Sequence, residues 1–365
     1  MRVLQITNDF NYQKLYINLF ESKSSSIEQT VFCGARDKRL IGNNIKGDIA
    51  NINYHNPLIV RKWDKINYFG KALRQFRYIK NNIDLSKIDL IHSHTLFSDG
   101  FIAYLIYLKY KIPYVTAVRS TDVNTFFKYK PYLIPLAKRI CRNSSSLIFP
   151  ALTVQSKFES KFKHFKYKSY LINNPLDQFW LENIYRTPRK YSDSKDFKVL
   201  YVGKIDKNKN VLALTSAIKK LNTKRRIILH IVGQFNSENI KNKVLSYDFV
   251  TYTPHTESKE KLMQYYRDSH LLCLPSKKET FGLVCLEALS QGTPYLMREG
   301  QGLFGMINGS LYSNYFKTDD DIEVHLSKIM MEYKTLKINT IDFTLFDVKN
   351  VCGKEISIYA NTLKG

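Results

Sequence analysis

Short apolar runs with strand character alternate with longer amphipathic segments along most of the chain. The alternation occurs in two successive series, which are separated by a polar stretch at about 171–197. Strands that alternate with helices predict a parallel sheet covered by helices, because each connection must return to the same end of the sheet. A chain of 365 residues is long enough for two such domains, each with its own core. We therefore predict an α/β protein with two doubly wound, Rossmann-like domains.

The predicted elements define the boundaries of these domains. The first series has predicted strands at 2–7, 29–34, 89–94, 113–118 and 146–149, and predicted helices at 11–22, 61–79, 97–110 and 132–142. The second has predicted strands at 198–202, 227–232, 249–252 and 271–274, and predicted helices at 211–221, 259–268 and from about 282. We expect an N-terminal domain at 1–175, a C-terminal domain at 176–344 and a final helical segment at 345–365.

Composition limits the class of protein. Hydrophobic residues make up 44% of the chain, which indicates a globular protein. The sequence has no run of about 18 apolar residues and begins directly with a predicted strand, so we expect neither a transmembrane helix nor a signal peptide. Five scattered cysteines without CxxC spacing indicate reduced thiols in the cytoplasm and no zinc site.

The formal net charge of +24 is extreme and is compatible with three kinds of partner: nucleic acid, an anionic membrane or an anionic substrate. Part of this charge reflects a general richness in Lys. Basic residues are spread over the whole chain, and no helix-turn-helix, zinc or RNA-recognition motif accompanies them. We therefore do not expect nucleic acid as the partner, although a basic nucleic-acid-binding protein without catalytic activity stays the alternative.

The segment 276–294, SKKETFGLVCLEALSQGTP, carries the strongest chemical signal. A predicted buried strand precedes it, and a helix is predicted to begin near Gly282. Glu279 then lies in the loop and Glu287 more than one turn into the helix, roughly 7.5 Å beyond Gly282 along its axis. The backbone N–H groups of Phe281, Gly282 and Leu283 form an anion site between the two carboxylates. A nucleotide diphosphate-sugar has the matching order of sugar hydroxyls, diphosphate and ribose hydroxyls.

Two glutamates at this spacing also occur by chance in many helices, so the pattern alone does not establish a site. Glu287, however, lies inside the apolar run LVCLEALS, where an ionised carboxylate needs partners.

A second segment, VGKIDKNKN at 202–210, follows the first strand of the C-terminal series. Gly203 permits a tight turn at the carboxyl end of that strand, where open α/β sheets bind ligands. Lys204 and Lys209 are then placed to hold a diphosphate. The alternative is that both are ordinary surface lysines in a Lys-rich protein.

Together these segments resemble the retaining glycosyltransferases of family 4, which have the GT-B fold. The 276–294 segment resembles the Glu-(any seven)-Glu motif of that family, and VGKIDKNKN resembles its Val-Gly-(Arg/Lys)-(hydrophobic)-x-x-x-Lys-(Asn/Gly) element. The resemblance runs from about Lys198 to Met297 and includes LHIVGQ, in which Gly233 is expected to approach the nucleotide base or to serve as an ordinary turn glycine.

The resemblance implies a role for each matching residue and two domains that face each other across a cleft. Glu279 is expected to contact the donor sugar and Glu287 the ribose of the nucleotide. Lys204 and Lys209 are expected to hold the donor phosphates. The helical tail is expected to cross back onto the N-terminal domain.

The acceptor side is expected in the N-terminal domain. His94, Arg119 and Asp122 follow predicted strands in segments that resemble cleft-lining segments of the family. His94 has a structural interpretation as well, and Arg119 and Asp122 have the alternative of pairing with each other. Two segments depart from the family pattern: NDFNYQK replaces a Gly-rich loop after the first strand, and NNPLD places Pro175 where relatives commonly have Gly.

From the resemblance we expect transfer of a sugar from a nucleotide diphosphate-sugar to a glycan or lipid-linked acceptor in surface-polysaccharide synthesis. We expect no cofactor and no metal, because the only Asp-x-Asp candidate, at 319–321, precedes a predicted helix and fits its N-terminus better. Basic aromatic stretches at 61–80, 128–142 and 157–168 suggest peripheral contact with an anionic membrane, the alternative being solvated lysine faces on ordinary helices.

Overall fold

The computed structural model describes residues 1–364 except 46, 164, 186, 188–189, 191–195, 224–225, 308–312 and 334–340. The chain divides into two compact units, the first formed by Met1–Pro175 with Thr344–Gly365 and the second by Leu176–Phe343. Of the polar stretch predicted to link the two series, residues 186, 188–189 and 191–195 lie outside the described residues.

The first unit is built on a seven-stranded parallel sheet with the order β3-β2-β1-β4-β5-β6-β7. Its strands are β1 Arg2–Ile6, β2 Glu28–Phe32, β3 Ile52–His55, β4 Leu90–Ser93, β5 Tyr114–Ala117, β6 Ser146–Phe149 and β7 Ser169–Leu171. Its α-helices are α1 Leu15–Lys23, α2 Tyr68–Asn82, α3 Gly100–Tyr110, α4 Phe127–Tyr129, α5 Ile134–Asn143, α6 Leu152–Lys161 and the final helix α13 Val348–Lys364.

The second unit is built on a six-stranded parallel sheet with the order β10-β9-β8-β11-β12-β13. Its strands are β8 Phe197–Val202, β9 Ile227–Gly233, β10 Val250–Pro254, β11 Leu271–Leu274, β12 Tyr295–Arg298 and β13 Ser313–Phe316. Its α-helices are α7 Gln178–Glu182, α8 Val211–Leu221, α9 Glu238–Leu245, α10 Lys259–Arg267, α11 Leu283–Ser290 and α12 Asp321–Glu332.

The predicted architecture of two parallel α/β sheets is therefore confirmed. Central strands β4, β5, β6 and β11 are buried at every residue. Burial on both faces explains why they appear in the sequence as short continuous apolar runs rather than as alternating patterns.

Each sheet has one place where the direction of chain progression reverses. In the first unit the chain runs outward from β1 through β2 and β3 and then crosses to β4 on the other side of β1. In the second unit β8 and β11 stand in the same relation. Loops that leave the carboxyl ends of such strand pairs diverge and open a crevice, which is where open α/β sheets bind ligands.

The structure differs from the sequence prediction at the sheet edges and at the start of α2. Edge strands β3 and β7 were not predicted, because their residues are largely half-buried or exposed and lack a strong apolar run. Strands β12 and β13 were not predicted either. The helix predicted at 61–79 begins at Tyr68, where the Asn67 side chain accepts a hydrogen bond from the Gly70 N–H at 2.9 Å. Four helices were also not predicted: α4, α6, α7 and α9.

The final helix α13 packs against α1 within the first unit. Apolar residues of α13, among them Val351 and Ile358, share a core cluster with Ile17 and Phe20 of α1. A buried ion pair joins the same helices, since Lys23 Nζ lies 2.7 Å from Glu355 Oε2.

All five cysteines are buried as free thiols, as predicted. Across the described residues, no helix combines the length and apolar character that crossing a membrane requires.

Candidate functional site

The candidate site of the second unit lies where β8 and β11 end side by side. The loop 203–210 leaves β8, and the loop 275–282 leaves β11 and leads into α11. Both loops are at the carboxyl edge of the sheet, at the reversal of strand order described above. The fold therefore brings the two chemically marked segments of the sequence to one crevice.

An ion pair connects these two loops. Lys209 Nζ lies 2.7 Å from Glu279 Oε2, and the two side chains are 24% and 13% exposed. The Glu279 backbone N–H also donates to the side-chain oxygen of Gln301 at 3.2 Å, which ties the loop to the segment after β12. Two residues predicted from separate motifs, 70 positions apart in sequence, thus form one charged centre that still reaches solvent.

Asn208 fixes the distance between the two loops. Its side-chain amide donates to the Lys278 carbonyl at 2.9 Å and accepts from the Lys278 N–H at 3.1 Å, while its own carbonyl accepts from the Lys277 N–H at 2.8 Å. Asp206 closes the turn by accepting from the N–H groups of Asn208 and Lys209 at 2.8 and 3.0 Å. Neither residue was predicted, although Asp and Asn are both typical of turns, where the side chain bonds a backbone N–H two residues on.

Helix α11 begins at Gly282. This residue has φ of 85°, in the left-handed region where a side chain is strained, and it forms the cap before Leu283. The first N–H groups of an α-helix have no partner inside the helix, so they are directed out at its N-terminus. The Phe281 side chain is buried.

Glu287 lies one turn into α11 and has a hydrogen-bond partner, as expected for a carboxylate in apolar surroundings. The Tyr266 hydroxyl donates to Glu287 Oε2 at 2.8 Å. Burial raises the pKa of Glu287 to about 7; the Tyr266 hydrogen bond and Lys259 counteract this rise, and the charge of Asp177 adds to it. Tyr266 was not identified from the sequence, because a buried Tyr on α10 is also an ordinary core residue.

Gly203 and Gly233 lie at the ends of neighbouring strands and approach each other closely. A Cβ atom on Gly233 would lie 1.9 Å from the Gly203 carbonyl oxygen, so no other residue fits at position 233 without backbone movement. Lys204 follows on the same loop with an exposed side chain, while its carbonyl accepts from the Tyr201 hydroxyl at 2.7 Å. Among the described residues, no ion pair joins Lys204 to a carboxylate.

The acidic run at 319–321 is part of the start of α12, as its sequence context predicts. Asp321 accepts from the N–H groups of Thr318 and Lys317 at 2.7 and 3.2 Å. Asp319 pairs with Arg298 and accepts from the Asn210 side chain at 2.9 Å. Within the described part of the chain, no group of three or more His, Cys, Asp or Glu residues has the arrangement to hold a metal ion.

In the first unit, His94 lies inside the core. It has no exposed surface, its Nε2 lies 2.9 Å from Gln5 Oε1, and its ring stacks on His92 with centroids 4.0 Å apart. Burial holds the pKa of His94 well below its usual value, with His92, Lys23 and Arg119 adding to the effect. The imidazole is therefore neutral and offers no surface to an acceptor in this structure, which favours the structural interpretation.

Asp122 is buried as well and binds backbone rather than the Arg119 guanidinium. Its carboxylate accepts from the N–H groups of Leu96, Phe97 and Arg119 at 3.0, 3.2 and 2.8 Å. Burial raises its pKa to about 6, and these hydrogen bonds oppose the rise. Asp122 thus ties the loop after β4 to the loop after β5.

The Arg119 side chain does not pair with the Asp122 carboxylate, which was the alternative considered from the sequence. Its Nε donates to the His94 carbonyl at 3.1 Å, and its Nη1 donates to Asn174 Oδ1 at 2.9 Å. The side chain is half-buried. Of the three acceptor-side candidates, Arg119 alone keeps solvent-accessible surface with a charge on it.

A cavity of about 190 Å³ lies at the carboxyl edge of β1 and β4, which is the strand-order reversal of the first unit. Its charged lining includes Asp9, Arg36 and Lys71. Asp9 belongs to the NDFNYQK loop that replaces the Gly-rich loop of the family; burial raises its pKa, and Arg119 and Lys71 oppose the rise. Here side chains, rather than a bare backbone, face the crevice.

Side-chain hydrogen bonds hold that loop in place. The Asn8 N–H donates to Asp99 Oδ1 at 3.2 Å, and Asn8 Oδ1 accepts from Gln75 Nε2 at 2.6 Å. Burial raises the pKa of Asp99 to about 7. Asp99 was not identified from the sequence, since it precedes α3 and resembles an ordinary capping residue.

Two family models match the chain, one in each unit. The model described as "Glycosyl transferases group 1" matches residues 186–329, and the model described as "Glycosyltransferase Family 4" matches residues 24–178. The first match contains the Lys209–Glu279 pair and Glu287, and the second contains His94, Arg119 and Asp122.

Individual proteins agree with these matches. An uncharacterized glycosyltransferase of Methanocaldococcus jannaschii is 23% identical over 273 residues, which cover 71% of this chain and 68% of that protein. The structure of sucrose-phosphate synthase from Thermosynechococcus elongatus superposes with a TM-score of 0.74 at 15% identity, covering 99% of this chain and 98% of that one. Anabaena HepE, solved in complex with UDP and glucose, superposes with a TM-score of 0.66 at 12% identity over 99% and 98% of the two chains.

Proposed function

Because the chain belongs to the group 1 glycosyltransferases with the GT-B fold, we propose that it transfers a sugar from a nucleotide diphosphate-sugar to a glycan or lipid-linked acceptor. In this proposal the transfer retains the anomeric configuration, needs no metal and serves the synthesis of a cell-surface polysaccharide at the inner face of the membrane. The observation that carries it is the ion pair between Lys209 and Glu279 at the crevice of the second sheet.

The donor would lie along the start of α11, with one carboxylate at each end. We assign Glu279, in the loop, to the hydroxyls of the donor sugar and Glu287, in the helix, to the ribose hydroxyls. Gly282 and Leu283 would direct their N–H groups at the diphosphate between them. Gly233, which excludes a side chain from the ends of β8 and β9, would leave room for the nucleotide base. The complex of Anabaena HepE with UDP and glucose supports this class of donor.

Charge balance is the central chemical requirement of the transfer. The bond between the anomeric carbon and the phosphate oxygen breaks, the acceptor oxygen bonds to the same carbon, and the acceptor proton passes to the leaving diphosphate. Negative charge therefore grows on the nucleoside diphosphate, and preorganised cations that face it lower the barrier. Lys204 and Lys209 would supply this charge together with the α11 N-terminus, in place of a metal.

The pairing with Glu279 prepares Lys209 for this task. An ammonium group has three N–H donors, so Lys209 can keep one on Glu279 and present others to phosphate oxygens. The contact also restricts a flexible side chain before the donor arrives, which reduces the entropy lost on binding. Lys204, which is exposed, would close onto the diphosphate only when the donor is present.

On the acceptor side, Arg119 is the residue that we propose to contact the substrate. His94 and Asp122 act through it as positioning residues, because the His94 carbonyl accepts from the Arg119 side chain and the Asp122 carboxylate accepts from its N–H. Asp122→Ala should therefore shift Arg119, whereas a substitution of the His94 side chain leaves the His94 carbonyl in place for Arg119.

The test is a panel of nucleotide sugars, measured for binding and for hydrolysis or transfer with purified protein. Glu279→Gln and Lys209→Ala should each lower turnover by about 100-fold or more, the loss typical of removing one preorganised charge partner. Lys207→Ala is the matched control, because this exposed lysine lies on the same loop and its loss changes the net charge equally. Turnover near wild type in both site variants, with folding intact, would contradict the assigned roles.

Two further measurements separate the components of the proposal. A chelator should leave turnover unchanged, and strict dependence on a divalent cation would refute catalysis by lysines alone. The nucleic-acid alternative predicts retention by an oligonucleotide and no thermal shift with any nucleotide sugar, and the family match does not favour it.

A further inference from the structure

Large apolar side chains are exposed together at the beginning of α2. Trp63 and Ile66, in the turn before the helix, are 77% and 78% exposed. Phe69 and Leu73, one turn apart on α2, are 48% and 41% exposed. Single exposed apolar residues are common on protein surfaces, but four such residues within eleven positions indicate a surface that has a partner.

A second exposed aromatic segment lies beside the first. Tyr129 and Tyr132 are each 62% exposed. Tyr68 of α2 connects the two segments, since its ring lies 6.3 Å from that of Phe126 and 6.0 Å from Lys130 Nζ. We call the surface formed by Trp63, Ile66, Phe69, Leu73, Tyr129 and Tyr132 the aromatic face.

The two segments that carry the aromatic face are rich in basic residues and poor in acidic ones. The segment 61–80 contains seven Lys or Arg and a single acid, Asp64, whose side chain is 2% exposed and pairs with Arg74. The segment 128–142 contains five Lys or Arg and no acid.

The positive charge continues along the helices next to the aromatic face. Arg77 and Lys80 are exposed and follow Phe69 and Leu73 at helical spacing on α2. Helix α3 packs against both α2 and α5, and α5 has three exposed basic residues, Lys138, Arg139 and Arg142. Helices α2 and α5 therefore both expose basic side chains, and α2 exposes apolar side chains as well.

We propose that the aromatic face binds the surface of an anionic lipid bilayer. Trp and Tyr favour the level of the lipid headgroups, because their rings are apolar and their N–H or O–H groups are polar. Lys and Arg around them attract anionic headgroups. A nucleic acid would match the charge but not the aliphatic members: Ile66, the most exposed of the six, and Leu73 offer no surface on which a base stacks. The inference rests on the proposed function only for its purpose, which is to place the enzyme beside a lipid-linked acceptor.

Tryptophan fluorescence tests the proposal directly, because the chain has two tryptophans with opposite exposure. Trp63 belongs to the aromatic face, whereas Trp180 is 2% exposed and packs edge-on against Tyr266 in the second unit. In a Trp180→Phe background, Trp63 is the sole reporter. Adding vesicles of three parts phosphatidylcholine to one part phosphatidylglycerol should shift its emission to the blue and sediment the protein, whereas phosphatidylcholine alone should do neither.

Variants separate the two kinds of contact, and vesicle sedimentation is the readout for all of them. Trp63→Ala with Ile66→Ala should remove binding at moderate salt. Arg77→Gln with Lys80→Gln should weaken it about 30-fold at low salt, at about fivefold for each basic residue near the bilayer. The matched controls are Val324→Ala with Met331→Ala, two exposed apolar residues of the second unit, and Lys243→Gln, an exposed lysine of α9.

Three results would overturn the proposal. One is equal binding to neutral and anionic vesicles. Another is sedimentation of the Trp63→Ala, Ile66→Ala variant at the wild-type level. The third is the absence of any blue shift while an RNA oligonucleotide retains the protein. None of these readouts requires turnover, so a failed membrane test and a failed glycosyltransferase assay remain distinguishable.

Discussion

The buried ion pair between Lys23 and Glu355 gives a sharp test of how α13 is held on α1. Lys23 Nζ lies 2.7 Å from Glu355 Oε2, and the two side chains are 0% and 4% exposed. The perturbation is a double-mutant cycle with Lys23→Met, Glu355→Leu and the combination of both. Each single variant leaves one ionisable group buried without its counter-charge, whereas the double variant leaves none.

The expected magnitudes follow from this burial. Breaking a buried pair on one side costs about 3–5 kcal/mol of unfolding free energy, because the remaining charge loses its compensation. For Glu355→Leu we expect the lower end, since Lys23 Nζ keeps the faces of Phe20 and Tyr359 at 5.4 and 5.7 Å. The double variant should fall within about 1 kcal/mol of wild type, because apolar replacement of a buried pair is often neutral. The coupling energy is then several kcal/mol.

Native-state hydrogen exchange is the suitable assay, because a chain of two units does not guarantee two-state unfolding. Protection of the α13 amides should fall in both single variants and return in the double variant, while that of α8 in the second unit serves as the control. Additive losses in the double variant would refute the reasoning, since they would show that each side chain acts by shape rather than by charge.

The pKa shifts of Lys23 and Glu355 also predict the pH range in which this ion pair stabilises the fold. Burial opposes the ionisation of Glu355, yet the Lys23 ammonium lowers the pKa of Glu355 below the usual value. The stabilisation that Glu355 contributes is therefore complete above its unfolded pKa of about 4.3 and is lost as pH falls through its folded pKa. Burial also opposes the charge on Lys23, yet Glu355 raises the pKa of Lys23. The stabilisation that Lys23 contributes is complete below its unfolded pKa of about 10.4 and is lost as pH rises through its folded pKa. Stabilisation by the pair should thus be greatest between about pH 5 and 10.

Two further predictions concern the second unit and the final helix. Gly233→Ala should lower the opening free energy of the β9 amides, measured by native-state hydrogen exchange, by about 3 kcal/mol, because its Cβ would meet the Gly203 carbonyl oxygen at 1.9 Å. Gly353→Ala in α13, where the Cβ would meet no atom within 4 Å, should instead raise the opening free energy of the α13 amides by up to about 1 kcal/mol. Equal effects of the two substitutions would contradict this steric argument. Burial raises the pKa of Glu287 to about 7, so in the proposed ribose contact its carboxylate would accept both hydroxyls only at higher pH. The dissociation constant of a nucleotide, measured by calorimetry, should therefore decrease as pH rises from 6 to 8. Glu287→Gln should remove that step, and an unchanged pH profile would argue against the ribose contact.

Much of the site was visible in the sequence because its signals are local. A strand followed by Gly203 and lysines, and a strand followed by Glu279 and Gly282, each specify a loop at the carboxyl end of a strand. Since all strands of a parallel sheet end at the same edge, two such loops are expected on one side of it. The sequence did not show that β8 and β11 are direct neighbours, which is what allows Lys209 and Glu279 to pair.

The sequence by itself determined the α/β class, the two series of strands and the residue types of the loops at 203–210 and 275–282, because apolar periodicity and turn residues act over a few positions. Only the tertiary structure decided that Asn208 joins the two loops, that Tyr266 is the partner of Glu287 and that His94 is a core residue. It also decided that the side chains of Arg119 and Asp122 do not pair, because the Arg119 guanidinium donates to His94 and Asn174 whereas the Asp122 carboxylate accepts from backbone N–H groups. These outcomes depend on which side chains meet after burial, and burial is a property of the assembled fold rather than of any stretch of chain.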